Sequence, residues 1–216
     1  VVTCGISTFF STSACFTVEG GSGGTSPVIS STTATPSRVC SGASSVLLAN
    51  TGSTTTGTYC MPTTSCTFPD IISNVTFAGI NRNSACDNPN TSTPNGFSLY
   101  TTPNPTVVAG VPTALSVTTS GDVEGIAVYI DYNQDGTFSA AENVYHNYFG
   151  TNPAVYTTNV TIPVTALNGT TRMRVRCHFA SDPFTSLADA ACTSSTFGET
   201  EDYNITVSGG VSPSTL

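Results

Sequence analysis

The stretch "TRMRVRCHFA", Thr171 to Ala180, alternates with a strict period of two. Only an extended strand sorts side chains this way, because successive Cβ atoms point to opposite faces. Met173, Val175, Cys177 and Phe179 therefore share one face, and Arg172, Arg174, Arg176 and His178 share the other. A helix would scatter both sets around its circumference. The chain that holds this segment must build a sheet with one apolar side, and it must find a use for a row of arginines on the side away from the core.

The same texture recurs. "DIISNVTFAGI", "PTVVAGVPTALSVTT", "GIAVYI", "NVYHNYF", "VYTTNVTIPV" and "DYNITVS" are short runs rich in β-formers, closed by Gly, Pro, Asn or Asp. Many strands of five to eight residues without a helical pattern predict an all-β fold, an antiparallel β-sandwich of jelly-roll or Ig-like type with long loops. Residues 1–56 read differently. They hold two charged side chains, Glu19 and Arg38, together with the Gly-rich run "EGGSGGTSP" and the tract "SSTTATPS". We take them as a Ser/Thr/Gly-rich β segment, residues 57–208 as the sandwich, and residues 209–216 as a linker or tail.

Five arginines, no lysine and 13 acidic side chains give a net charge of -8. Such a chain is repelled by phosphate backbones and anionic membranes, which excludes nucleic-acid binding. No run of about 18 apolar residues predicts membrane insertion, and the start "VVTCGIS" has no signal-peptide pattern, so any such peptide is expected to be gone already. Charged residues make up 8% of the chain, so solubility falls to hydroxyl and amide groups, as on secreted surfaces. The eight cysteines are even in number and contain no CxxC pair. This favours disulfides in an oxidising compartment over zinc or redox chemistry. Cys177 with Cys192 is the expected bridge, since the two bracket one loop; Cys66 with Cys86 is the second.

"DYNQDGTFSAAE", Asp131 to Glu142, satisfies the pattern D-x-[DN]-x-[DN]-G-x5-E. Calcium (Ca2+) takes six to eight oxygen ligands. Asp131, Asn133, Asp135, the Thr137 carbonyl, Ser139 and Glu142 stand at the ligand positions, and Gly136 stands at the sharp turn. The preceding "GIAVYI" is a strand, so the expected role is to brace a loop rather than to open a helix pair. The alternative is an acidic surface turn without an ion.

Glu199, Glu201 and Asp202 crowd one short segment before the last strand. They are either salt-bridge partners for Arg172, Arg174 and Arg176 across adjacent strands or additional metal ligands; a glycosidase-type pair is the weakest reading. Tyr129, Tyr132, Tyr145, Tyr148 and Tyr156 lie near the loop in sequence, as core packing or as a platform for sugars. His146 and His178 read as strand surface residues. No triad order, HExxH or nucleophile elbow accompanies them, so no enzyme is expected.

Three ordered segments, "VYIDYNQDGTFSAAENV", "TIPVTALNGTTRMRVR" and "FGETEDYNITV", together resemble the GEVED domain. The signature reads Gly198-Glu199-Thr200-Glu201-Asp202, with threonine in place of the middle valine. "YCMPTTSC", "DIISNVTFAGINRNSAC" and "GFSLYTTPNPTVVAG" are similar to the usual lead-in, so the likeness runs over residues 57–208. "VCSGASSVLLAN" is similar to the opening of an Ig-like repeat, which makes residues 1–56 an Ig-like remnant by resemblance. The resemblance implies a noncatalytic, secreted or cell-surface module of multidomain proteins from Bacteroidetes-type bacteria. Its expected function is calcium-stabilised adhesion or assembly of a surface structure. A carbohydrate-binding accessory module of a secreted degradative enzyme is the alternative. The expected partners are other surface proteins, copies of itself, or glycans.

Overall fold

The computed structural model describes residues 31–35, 46–50, 57–66, 70–86, 96–121, 124–147, 154–179 and 190–212. The chain divides into two compact units, Val1–Thr54 with Ser214–Leu216, and Thr55–Pro213. In the first, β1 (Ser31–Thr35) and β2 (Val46–Asn50) pair antiparallel.

The second unit is a β-sandwich. One sheet has four strands in the order β10-β7-β3-β4, with β3 Ile71–Phe77, β4 Ile80–Asn83, β7 Thr113–Ser120 and β10 Ala154–Val160. The other contains β5 (Phe97–Tyr100), β12 (Gly198–Ser208), β11 (Gly169–Phe179), β8 (Glu124–Ile130) and β9 (Asn143–Asn147) in that order, and β6 (Thr106–Val108) also pairs with β12. Every pairing in the sandwich is antiparallel except those of β5 and β6, which run parallel to β12 along its outer side. The "AGVP" bend expected between two strands therefore does more than reverse the chain: it carries it from β6 in one sheet to β7 in the other.

Alternation explains the core. Ile72, Val75, Phe77, Leu115, Val117 and Tyr156 point inward from the four-stranded sheet. Ile126, Val128, Ile130, Met173, Val175 and Cys177 meet them from the other. Dispersion and the removal of this apolar surface from water hold the two sheets together.

The six-stranded sheet departs from a simple sandwich because its second face is also covered. All seven residues of β8 are buried, as expected of a strand with packing on both sides. Residues 57–66 and 190–197 supply that cover. Ser195 N–H donates to Thr63 O at 3.1 Å, Gly198 N–H donates to Ser65 O at 3.1 Å, and Cys60 is bonded to Cys192. A small second core forms beneath them from Ala127, Tyr129, Phe138, Ala190 and Ala191, with Tyr59 packed against it.

Two disulfides involve described cysteines, Cys60–Cys192 and Cys66–Cys86. The expected Cys177–Cys192 bridge is corrected: Cys177 is a free, buried thiol. The reason lies in the strand. Cys177 alternates with Val175 and Met173 into the inter-sheet core, whereas Cys192 belongs to the layer on the opposite face, so the sheet stands between them. Cys4, Cys15 and Cys40 lie outside the described residues.

Candidate functional site

The loop Asp131–Glu142 leaves the end of β8 while still tied to the sheet. Asp131 N–H donates to Arg172 O at 3.1 Å, and Thr171 Oγ1 donates to Asp131 O at 2.7 Å. The Asp131 carboxylate, fully buried, gathers the first half of the loop. It accepts from Asp135 N–H at 3.2 Å, from Gly136 N–H at 3.0 Å and from the Tyr59 hydroxyl at 2.6 Å. Glu142 closes the second half. Its Oε1 accepts from Tyr132 N–H at 3.0 Å, and its Oε2 accepts from Ser139 N–H at 2.8 Å and Ser139 Oγ at 2.9 Å. Asn133 donates to Asp135 Oδ2 at 2.9 Å, and the Thr137 hydroxyl donates to Asp135 Oδ1 at 2.6 Å. All six expected ligand residues thus stand on one ordered loop.

Gly136 explains its place in the motif. Its φ is +79°, and a Cβ there would lie 2.2 Å from Gly57 O. Both the left-handed backbone and the close approach demand glycine. Gly57 N–H in turn donates to Asp135 O at 3.1 Å.

Burial makes this loop electrostatically expensive. It raises the Asp131 carboxyl above the usual carboxylate range, and the Asp135 charge adds to the rise. Burial likewise raises Glu142, with Asp131 adding. Burial and the Glu142 charge push the Tyr132 hydroxyl up to about 12. Tyr59 is raised by burial first and by its bond to Asp131 second. Among the described residues no three His, Cys, Asp or Glu side chains converge as a metal site; the loop carboxylates are turned instead to backbone and hydroxyl donors. The donor set still fits calcium. It is all oxygen, two of its carboxylates are buried, and neighbouring loop charges raise both, Asp135 acting on Asp131 and Asp131 acting on Glu142.

Beside the loop stands a stack that sequence reasoning did not find. The Arg172 guanidinium lies 4.4 Å from the centre of the Tyr59 ring, and that ring lies 5.1 Å from Phe138. Arg174 lies 4.6 Å from Phe138 and 5.5 Å from Phe97. Phe138, at the eighth loop position, roots the loop in the second core. An apolar residue between Thr137 and Ser139 in an otherwise polar loop was the available signal. Tyr59 and Gly57 carried none, since they lie more than 70 residues upstream of Asp131 in sequence.

The arginine row faces away from the main core, as alternation requires, yet Arg174 and Arg176 are fully buried beneath the covering layer. Arg174 grips Asp202 with two bonds, Nε to Oδ1 at 2.7 Å and Nη2 to Oδ2 at 2.9 Å. It also donates to Cys60 O at 2.6 Å and to Ala191 O at 2.7 Å. Arg172 reaches Asp202 at 3.5 Å. Arg176 donates to Thr200 Oγ1 at 3.0 Å and to the Ala190 carbonyl; burial lowers its pKa to about 10, with the Arg174 charge adding.

Strand alternation splits the acidic segment. Asp202 and Thr200 take the arginine side, while Glu199 and Glu201 point into the inter-sheet core. Glu199 Oε2 accepts from Ile72 N–H at 2.8 Å, across to the other sheet. Glu201 Oε2 accepts from the Tyr203 hydroxyl at 2.5 Å, and burial, followed by the Glu201 charge, raises that phenol. Gly198 has φ +128°, and a Cβ there would lie 2.2 Å from Cys177 O, so only glycine lets β12 begin against β11.

His178 is also corrected: it is 1% exposed, under the covering layer rather than on the surface, whereas His146 is exposed. Tyr129 and Tyr156 are core residues, Tyr132 and Tyr145 pack partly buried against the core, and Tyr148 lies outside the described residues.

Two faces of buried packing, two disulfides and ion-paired arginines define a disulfide-stabilised β-sandwich of the kind typical of adhesion and structural modules. The chain contains a GEVED domain, whose family model matches residues 125–206. That family is associated with secreted and surface multidomain bacterial proteins, which matches the expected localisation. No curated protein matches the chain. The matched span covers β8 to β12, but β3, β4 and β7, which with β10 form the facing sheet, lie upstream of it. Among the described residues no helix is long and apolar enough to cross a membrane.

Proposed function

We propose that the second unit is a calcium-braced module that serves adhesion or the assembly of a surface structure. Asp131, Asn133, Asp135, the Thr137 carbonyl, Ser139 and Glu142 are the residues that would hold the ion. Calcium bound there would supply positive charge to two buried carboxylates, Asp131 and Glu142. The observation that carries the reading is the burial of Asp131 and Glu142, 0% and 3% exposed, on a loop rooted by Phe138 and Tyr59. A loop anchored at its middle and both ends has little freedom to switch. The role that fits is rigidity at one end of the sheet, useful in a module that bears load between neighbours.

The test is calorimetric titration of metal-stripped protein with calcium and then magnesium, followed by thermal melting in each state. Saturable calcium heat with a rise in melting temperature, both lost in Asp131→Ala, supports the reading. No heat and an unchanged melt leave an acidic turn without an ion.

A further inference from the structure

We propose that the outer face of the four-stranded sheet binds a neutral glycan chain. The inference rests on the adhesive reading and names the ligand of that adhesion, at a face remote in sequence from the calcium loop.

Strand register builds two rows of side chains on this face. Thr157, Ser116, Thr76 and Asn81 stand side by side across β10, β7, β3 and β4. Val155, Thr118, Asn74 and Asn83 form the adjacent row. Every one of these eight is exposed or half-buried, in contrast to the buried second face of the other sheet. Three steps of about 4.8 Å between strands make each row about 14 Å wide. That width takes a chain rather than a single ring.

None of the eight carries a charge, although the protein has a net charge of -8. An anionic ligand is repelled by the whole protein and finds no cation here, and a cationic one finds no carboxylate. Hydroxyls and carboxamides both donate and accept, which is what sugar hydroxyls require. The face is also set in place before binding. Asn74 Nδ2 donates to Asn81 Oδ1 at 3.0 Å, to Asn83 Oδ1 at 2.9 Å and to Arg82 O at 3.1 Å, and Thr76 Oγ1 donates to Asn74 Oδ1 at 3.1 Å. With an oxygen of each engaged by Asn74, the exposed Asn81 and Asn83 keep their NH2 groups as donors. Fixed donors lose less side-chain entropy when a ligand binds. A cavity of about 390 Å³ opens on the same face, with Thr76, Ser116, Thr157, Thr158 and Asn159 supplying its polar lining. It falls within the range of small-ligand sites, roughly 300–1,000 Å³. Ala114 and the 63% exposed Val155 add apolar surface for the C–H faces of a sugar ring. No aromatic ring stands in either row, so a single site binds weakly.

The experiment is a 15N–1H NMR titration of the full chain in calcium buffer with cellohexaose, mannohexaose and laminarihexaose, with hexagalacturonate as the anionic control. We expect at least one neutral probe to shift amides of β10, β7, β3 and β4, and to bind at least tenfold tighter than hexagalacturonate. Ser116→Asp and Thr157→Asp, surface changes whose folding is checked by unchanged melting, should each weaken binding at least tenfold. No shift on this face with any neutral probe overturns the proposal. Equal binding of hexagalacturonate, or shifts confined to the loop around Tyr132 and Tyr145, overturns it too. Calcium-dependent self-association with the face unshifted would do the same while leaving the adhesive reading intact.

Discussion

Replacing Arg174 by methionine should be among the most destabilising single changes in the sandwich. The side chain is fully buried, and Met keeps its length and apolar stem while deleting the guanidinium. Removing one partner of a buried ion pair costs about 3–5 kcal/mol, because the other charge is left stranded. Asp202 is also fully buried, and its remaining cation, Arg172, stands at 3.5 Å and is 20% exposed. The Cys60 and Ala191 carbonyls would lose donors at 2.6 and 2.7 Å, adding about 1 kcal/mol each before water enters. The expected loss is about 5–7 kcal/mol, close to the whole stability of many domains, about 5–15 kcal/mol.

With a guanidinium slope of about 4 kcal/mol/M, the unfolding midpoint should fall by about 1 M or more. The chain has eight tyrosines and no tryptophan, so near-ultraviolet circular dichroism of tyrosine is the natural probe. Arg174→Lys retains charge but not the two-point grip on Asp202, and should fall between wild type and Arg174→Met. The double variant Arg174→Met/Asp202→Leu removes both charges and should recover at least about 2 kcal/mol relative to the sum of the single losses. It keeps the test open if Arg174→Met does not fold. A midpoint shift equivalent to less than about 1 kcal/mol, or a double variant that merely adds the two losses, would refute the view that this pair locks the covering layer to the sheet.

Cys60–Cys192 closes 132 residues and Cys66–Cys86 closes 20. On chain entropy the alanine pair at the first should therefore cost about 2 kcal/mol more than at the second; equal denaturant midpoints would contradict this, and so would a Cys177–Cys192 peptide in an unreduced digest. In metal-free buffer the raised Asp131 and Glu142 carboxyls bind protons more tightly folded than unfolded. Their contribution to stability is thus greatest below the ordinary carboxylate range and falls as pH rises through their folded values. The stability of wild type relative to Asp131→Asn should accordingly drop between acidic and neutral pH without metal and rise with saturating calcium, as read from paired melts; no difference in slope between the two buffers would count against the charge argument. A fragment of residues 125–206 lacks β3, β4 and β7 and should show no cooperative melt, whereas residues 55–213 should melt as one unit.

Much of the fold was legible because β structure writes itself with a period of two. "TRMRVRCHFA" gave both faces of β11 correctly, and the apolar run "GIAVYI" marked the buried β8. What alternation cannot tell is whether the side away from the core meets water. Arg174 and Arg176 stand where the pattern puts them, yet a third layer contributed by residues 57–66 and 190–197 covers them. Local patterning holds no record of that layer, because its two parts are joined by a disulfide across 132 residues. Sequence proximity misled for the same reason. Cys177 and Cys192 are near along the chain and on opposite sides of a sheet.

The acidic signature shows how one strand serves two environments at once. β12 is central enough to be covered on both faces, so each residue of Glu199-Thr200-Glu201-Asp202 must satisfy its polar atoms internally. Glu199 does this by reaching across the sandwich to Ile72 N–H, where the pairing of β3 with β7 shifts register between Ile72 and Asn74. That shift is a bulge, and a bulge leaves ladder groups needing other partners. Asp202, on the reverse face, does it by accepting the two-point grip of Arg174. One carboxylate thus ties β12 to the sheet in front and another ties it to the layer behind. A run of acids that looks like a catalytic or metal cluster in one dimension becomes, by alternation, two fasteners pointing in opposite directions.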